Sequence, residues 1–174
     1  MRLLFDLDKK DYDVSMPQFI RPSVRGIILR DGKVAMIHSL KYDYYKFPGG
    51  GIEGGEGHIQ TLIREIREEA GLEVIPESIR EYGWVHRAQK SGYGDVLVQE
   101  NYYYLCQTED LRLGQNLDDY EQEERFTLEF VEPRHAICVN RRAMETSLAG
   151  DPVYALMAER EARVLEWLLK ETDL

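Results

Sequence analysis

Residues Phe47 to Leu72 read FPGGGIEGGEGHIQTLIREIREEAGL, a glycine-rich run that leads directly into an acid-rich one. Its second half has the pattern of a helix from Gly57 to Ala70. At about 100° per residue, Ile59, Leu62, Ile63, Ile66 and Ala70 fall on one stripe, while Glu65, Glu68 and Glu69 gather on a neighbouring one. Gly71 is placed to end the helix, so Glu68 and Glu69 sit where the helix dipole favours cations. Glu65 lies three and four residues before them, each such like-charge pair costing about 0.2–0.5 kcal/mol. Arg64 has i, i+4 spacing to Glu68 and Arg67 adds a second cation, so a solvated face of mixed charge accounts for the helix taken alone.

The glycine-rich first half adds what that account lacks. Gly49, Gly50 and Gly51 permit a backbone curl in which several N–H groups converge, a concavity suited to phosphate oxygens. A flexible surface turn explains the glycines but not Glu53 and Glu56, which stand beside an already acidic helix. A hard divalent cation explains both, because repelling carboxylates become shared ligands, and Mg2+ combines a few carboxylates with waters and substrate phosphates. The stretch points to metal-assisted chemistry on a phosphate.

Around it, strand character is read over Arg2–Leu7, Ser23–Arg30, Lys33–Ser39, Leu72–Ile75, Arg80–Ala88, Val96–Gln107 and Arg125–Val131. Asp31-Gly32 predicts a tight hairpin, and Gly92 and Gly94 within Ser91–Asp95 predict a second. Further helices are expected over Pro133 to about Thr146 and Pro152 to about Lys170, and Gln107–Glu124 reads as a long acidic loop. Strands joined by hairpins yet interleaved with helices imply an α+β fold with a mixed sheet, in a single domain spanning 1–174. The last helix offers an apolar face for either the sheet or a homodimer partner, with the sheet favoured.

Composition narrows the function classes. A net charge of −10 argues against a nucleic-acid polymer or an anionic membrane surface as partner. No window reaches the roughly 18 apolar residues of a membrane span, and acids interrupt the N-terminus too early for a signal peptide, so a cytoplasmic location is expected. Cys106 and Cys138 lack paired spacing and read as buried, reduced thiols.

Gly50, five residues, Glu56, seven residues, then Arg64 to Leu72 matches every fixed position of the Nudix box, and the chain resembles the Nudix hydrolases. The resemblance implies a Nudix fold, a mixed sheet sandwiched between helices, with the box as loop, helix and loop over Gly50 to Leu72. It implies Mg2+ or Mn2+ held by Glu65, Glu68 and Glu69 with help from Glu56, and Arg64 keeping those carboxylates in place. The activity implied is hydrolysis of a phosphoanhydride in a nucleoside diphosphate linked to a group X, a small nucleotide-type substrate; the rival is a nucleotide-sensing module that does not turn its ligand over. An extra acid outside the box often serves as base or extra ligand in this family; Glu121, Glu123 and Glu124 are the candidates beside the box glutamates themselves, the sequence does not choose among them, and Glu123 stands for them as a catalytic residue with Glu65, Glu68 and Arg64. For substrate contacts, Gly49, Gly50, Gly51, Arg25 and Tyr45 are selected; Arg21, Lys41, Lys46, Arg87, Tyr42 and Tyr44 read as surface cations or core aromatics with the option of a substrate contact. None of His38, His58, His86 and His135 is given a catalytic role.

Overall fold

The computed structural model describes residues 1–172. In chain order its strands are β1 (Leu3–Asp8), β2 (Gln18–Ile20), β3 (Ser23–Ile27), β4 (Leu29–Arg30), β5 (Lys33–Ser39), β6 (Tyr44–Lys46), β7 (Leu72–Val74), β8 (Arg80–Lys90), β9 (Val96–Leu105), β10 (Thr108–Arg112) and β11 (Phe126–Val131). The helices are α1 (His58–Glu65), which runs into a π turn over Ile66–Ala70, α2 (Asp119–Glu124), α3 (Pro133–Glu145) and α4 (Pro152–Glu171).

The Asp31-Gly32 turn forms as its residue types demand, both at positive φ (50° and 73°), and joins β4 to β5. The expected run Ser23–Arg30 is cut at Ile28, because the chain changes partners there: β3 pairs in parallel with β9, and β4 pairs antiparallel with β5. One sheet therefore orders β1-β8-β9 with β2 and β3 on the far side, and a second places β5 between β11 and both β4 and β6. Gln107–Glu124 is not a loop throughout. Its first part, β10, pairs antiparallel with β7, and its last part is α2.

Both faces of β5 are covered, which is why it reads as an apolar run rather than an alternation. Val34 and Met36 join the core under α4, with Leu156, Leu165 and Leu168, whereas Ala35 and Ile37 join the core under α1, with Leu62 and Ile66. The sheets thus lie between helix layers, the α+β arrangement expected. The apolar stripe of α4 is spent inside the chain, against α3 and β1. Cys106 is buried, but Cys138, on the outer side of α3, is exposed. Among the described residues no helix is long and apolar enough to cross a membrane.

α1 approaches β3 closely because Gly26 has no side chain. A Cβ there would stand 2.5 Å from Ile66 Cδ1. The helix ends at Gly71 (φ 62°), whose N–H reaches the carbonyls of Arg67 and Ile66. The sequence pattern predicts an ordinary helical turn here; the i−5 bond to Ile66 makes it a π turn, a feature common at functional sites.

Candidate active site

Arg64 is the organiser of the acidic helix. Its Nε and Nη2 donate to the two oxygens of Glu56 at 2.8 Å each, and its Nη1 donates to Glu65 Oε1 (2.8 Å) and Glu68 Oε2 (3.1 Å). One guanidinium fork thus holds three carboxylates from the loop and the helix. These bonds hold Glu56 down to about 2, well below the usual carboxylate range. Glu65 goes the other way: burial, then the nearby charge of Glu69, raises it despite Arg64 and Arg25. Arg64 takes one oxygen of Glu65 and one of Glu68. Gly50 allows the loop to press on this group, since any Cβ at that position would meet the Glu65 carboxylate.

Glu69 departs from the stripe expected of it. It is 2% exposed and turned under the glycine loop, where Lys46 Nζ donates to Oε1 (2.6 Å) and Gly49 N–H donates to Oε2 (2.8 Å). Burial alone would raise its pKa, but Lys46, a hydrogen bond from Glu121 and the charge of Arg25 together lower it. Lys46, read from sequence as a surface cation, is therefore a buried partner of the box. β6 places it there, as the last residue of a strand pinned to β5.

Of the three acids outside the box, the structure brings Glu121 to the site. The helix end leaves carbonyls without intrahelical partners, and the preceding segment satisfies them: Leu113 N–H bonds Gly71 O (2.7 Å), Asn116 N–H bonds Glu68 O (2.8 Å) and the Gln115 amide bonds Glu69 O (2.5 Å). That docking delivers α2, and Glu121 lines the same cleft as Glu65, Glu68 and Glu69, a space of about 490 Å³. Burial and the adjacent Glu69 push Glu121 up to about 7. Glu123 lies elsewhere, exposed and paired with Lys41 (2.5 Å), because it sits on the outer side of α2. Glu124 is buried and takes hydroxyl bonds from Ser39, Tyr44 and Tyr154.

Gly49, Gly50, Gly51 and Arg25 all reach the cavity next to this cleft. Tyr45 does not. It stacks on His38 with ring centroids 4.2 Å apart, and its hydroxyl donates to Glu129 at 2.8 Å. β6 alternates, so it is Tyr44 and Lys46 that face the cavity. Tyr120 and Arg21, the first unassigned and the second left open by sequence, border both spaces. The signal for α2 was present as Asp118-x-x-Glu121, a capping-box spacing in which the Asp118 N–H bonds Glu121 Oε2 (2.9 Å). Among the described residues no three His, Cys, Asp or Glu side chains close into a ready cage for a metal, and Arg64 and Lys46 take several of the carboxylate oxygens.

A sheet between helix layers, a glycine loop folded over a buried acid and an acidic helix held by one arginine define an α+β protein of the box-bearing kind. Residues 20–149 match the family model described as NUDIX domain, and the chain belongs to the Nudix family. An RNA pyrophosphohydrolase of Xanthomonas campestris pv. campestris (strain B100) is 35% identical over 68 residues, covering 38% of this chain and 32% of that protein. The RNA pyrophosphohydrolase of Xanthomonas axonopodis pv. citri (strain 306) is similar to the same degree, so the chain matches about a third of the length of these relatives. A NUDIX hydrolase from Nitrosomonas europaea has the same fold at TM-score 0.55, with 17% identity over 76% of this chain and 90% of that one.

Proposed function

We propose that this chain is a divalent-metal-dependent hydrolase that cleaves the phosphoanhydride bond of a nucleoside diphosphate linked to another group X. The observation that carries the reading is the hold of Arg64 on Glu56, Glu65 and Glu68, the last two of which line one cleft together with Arg64. Solvation alone gives no reason for three acids to converge on one cation when each like-charge pair is unfavourable. The donor set fits Mg2+ or Mn2+: every group is a hard oxygen, and Glu65 and Glu68 each keep an oxygen that Arg64 does not take. When bound there, with Glu56 and Glu69 behind, the ion supplies neutralisation of diphosphate charge and acidification of water.

The chain's own groups do the rest. Arg64 fixes the carboxylates, and the Gly50-Gly51 backbone shapes the phosphate side of the cleft. Glu121 is the base: as the oxygen of water bonds to phosphorus and the bond to the leaving phosphate oxygen breaks, the water proton passes to the Glu121 carboxylate. Its pKa of about 7 suits that task, since a base works best when poised near the operating pH.

The names of the Xanthomonas relatives favour a second substrate, the 5′ end of an RNA. The net charge of −10 favours a small nucleotide instead. A hydrolysis panel of nucleoside triphosphates, nucleotide sugars, dinucleotides, ADP-ribose and a 5′-triphosphorylated oligoribonucleotide, with Mg2+ or Mn2+, decides between them. Binding of these compounds with no turnover of any would leave the nucleotide-sensing module as the reading.

A further inference from the structure

The cavity beside the acidic cleft, about 300 Å³, has a different character. Four buried cations border it, Arg25, Lys46, Arg87 and Arg160, against one acid, Asp95, which is engaged by the Ser91 hydroxyl. Two of the four are already neutralised, Lys46 by Glu69 and Arg160 by the fully buried Glu161. Arg25 and Arg87 have no carboxylate within ion-pair distance among the described residues, although they are only 9% and 3% exposed. Arg87 is anchored by neutral oxygens alone: Gln89 Oε1 at 2.8 and 3.0 Å, Gln99 Oε1 at 3.1 Å and Val153 O at 2.6 Å. Arg25 gives Nη1 to the carbonyls of Gly49 and Phe47, and its Nε is buried with no partner among the described residues.

Burying a cation without a counter-charge is costly, and this protein has acids in excess with which to pair them. Arg25 acts on Glu65 and Glu69 from a distance and Glu161 acts on Arg87 in the same way, but neither arginine has a carboxylate in contact, and a ligand anion in the cavity would supply one.

We propose that this cavity binds a phosphate-type oxyanion carried on the group X of the substrate, held by Arg25 and Arg87. This rests on the hydrolase reading for the word substrate, though not for the binding itself. A carboxylate would neutralise one of the two charges; a phosphate monoester carries about −1.5 to −2 at pH 7 and neutralises both. Tyr44, Phe126, Tyr154 and Met157 supply an apolar wall for the body of X. Arg160, Met157 and Tyr154 come from α4, which follows the residues 20–149 that match the family model.

The test uses the full chain with chelator, where the acidic cleft cannot recruit phosphate through a metal, and inorganic phosphate as probe. The melting temperature is expected to rise saturably with phosphate, above matched chloride and matched acetate. Arg87→Gln should weaken the apparent phosphate affinity about tenfold or more, as expected for loss of a charge-assisted contact, with Arg25→Gln as the second variant if Arg87→Gln fails to fold. No gain over chloride overturns the proposal, as does an equal gain with acetate, or a gain that survives in both variants. Phosphate binding that behaves as expected in a chain that hydrolyses nothing upholds the pocket and refutes only the hydrolase reading.

Discussion

Glu121 and Glu123 stand two residues apart on α2 and differ in almost every physical respect. Glu121 is 4% exposed and faces Glu69 across the cleft, whereas Glu123 is solvated against Lys41. Glu121→Gln should lower kcat/KM by about 10²–10⁴, the usual contribution of a general base, while Glu123→Gln should stay near the parent value in the same assay. The raised pKa of Glu121 also has a sign for stability. Between the ordinary value of 4.5 and about 7 the folded state holds a proton that the unfolded state has lost. Metal-free stability contributed by this group is therefore full below 4.5 and is lost as pH rises toward 7, at up to about 1.4 kcal/mol per pH unit. Denaturant titrations across that range should show the decline in the parent chain and a flatter profile in Glu121→Gln.

At the scale of elements, the site depends on how near α1 comes to β3. Gly26→Ala should cost about 1–3 kcal/mol, as overpacking does, because its Cβ meets Ile66 Cδ1. Ile66→Val deletes that atom and alone should cost about 0.5–1.5 kcal/mol. If the contact is as described, the double variant recovers most of the Gly26→Ala loss in chemical denaturation; strictly additive costs would place the strain elsewhere. Much at this scale was legible in sequence. The Asp31-Gly32 hairpin and the Arg64 spacing are local patterns, and each has its local structure; the α1 stripe is buried at Leu62, Ile66 and Ala70 but leaves Ile59 exposed. What escaped depends on distant partners. β2 and β6 are three residues each, too short for a periodicity of their own, and exist because β9 and β5 are there to pair with. α2 was hidden by its acidity, which reads as solvated loop until its docking onto the carbonyls of the box helix is known. Glu69 lies on the acidic stripe by spacing, and only the position of Lys46 on a neighbouring strand takes it into the core.

For the whole molecule, charge is divided between two adjoining spaces. Acids gather where the box helix ends, and buried guanidiniums gather between the sheet and α4. Arg87 is 66 residues from its contact in α4, Val153, and Arg160 is 59 residues from its contact in β9, Asn101, so no spacing rule marked them as neighbours around one cavity. Under the proposed function this division would let an acidic chain accept an anionic substrate, with metal on one side and arginine on the other. The proposed function makes the Arg64-held carboxylates a metal-dependent hydrolytic site. Its most direct test is turnover across the substrate panel by the parent chain and Glu68→Gln, with Mg2+ and again with chelator. The parent chain with Mg2+ should release a nucleoside monophosphate or phosphate, and this release should be abolished by chelator and lowered by orders of magnitude in Glu68→Gln. Turnover that persists in chelator, or a Glu68→Gln protein as active as the parent, would contradict it.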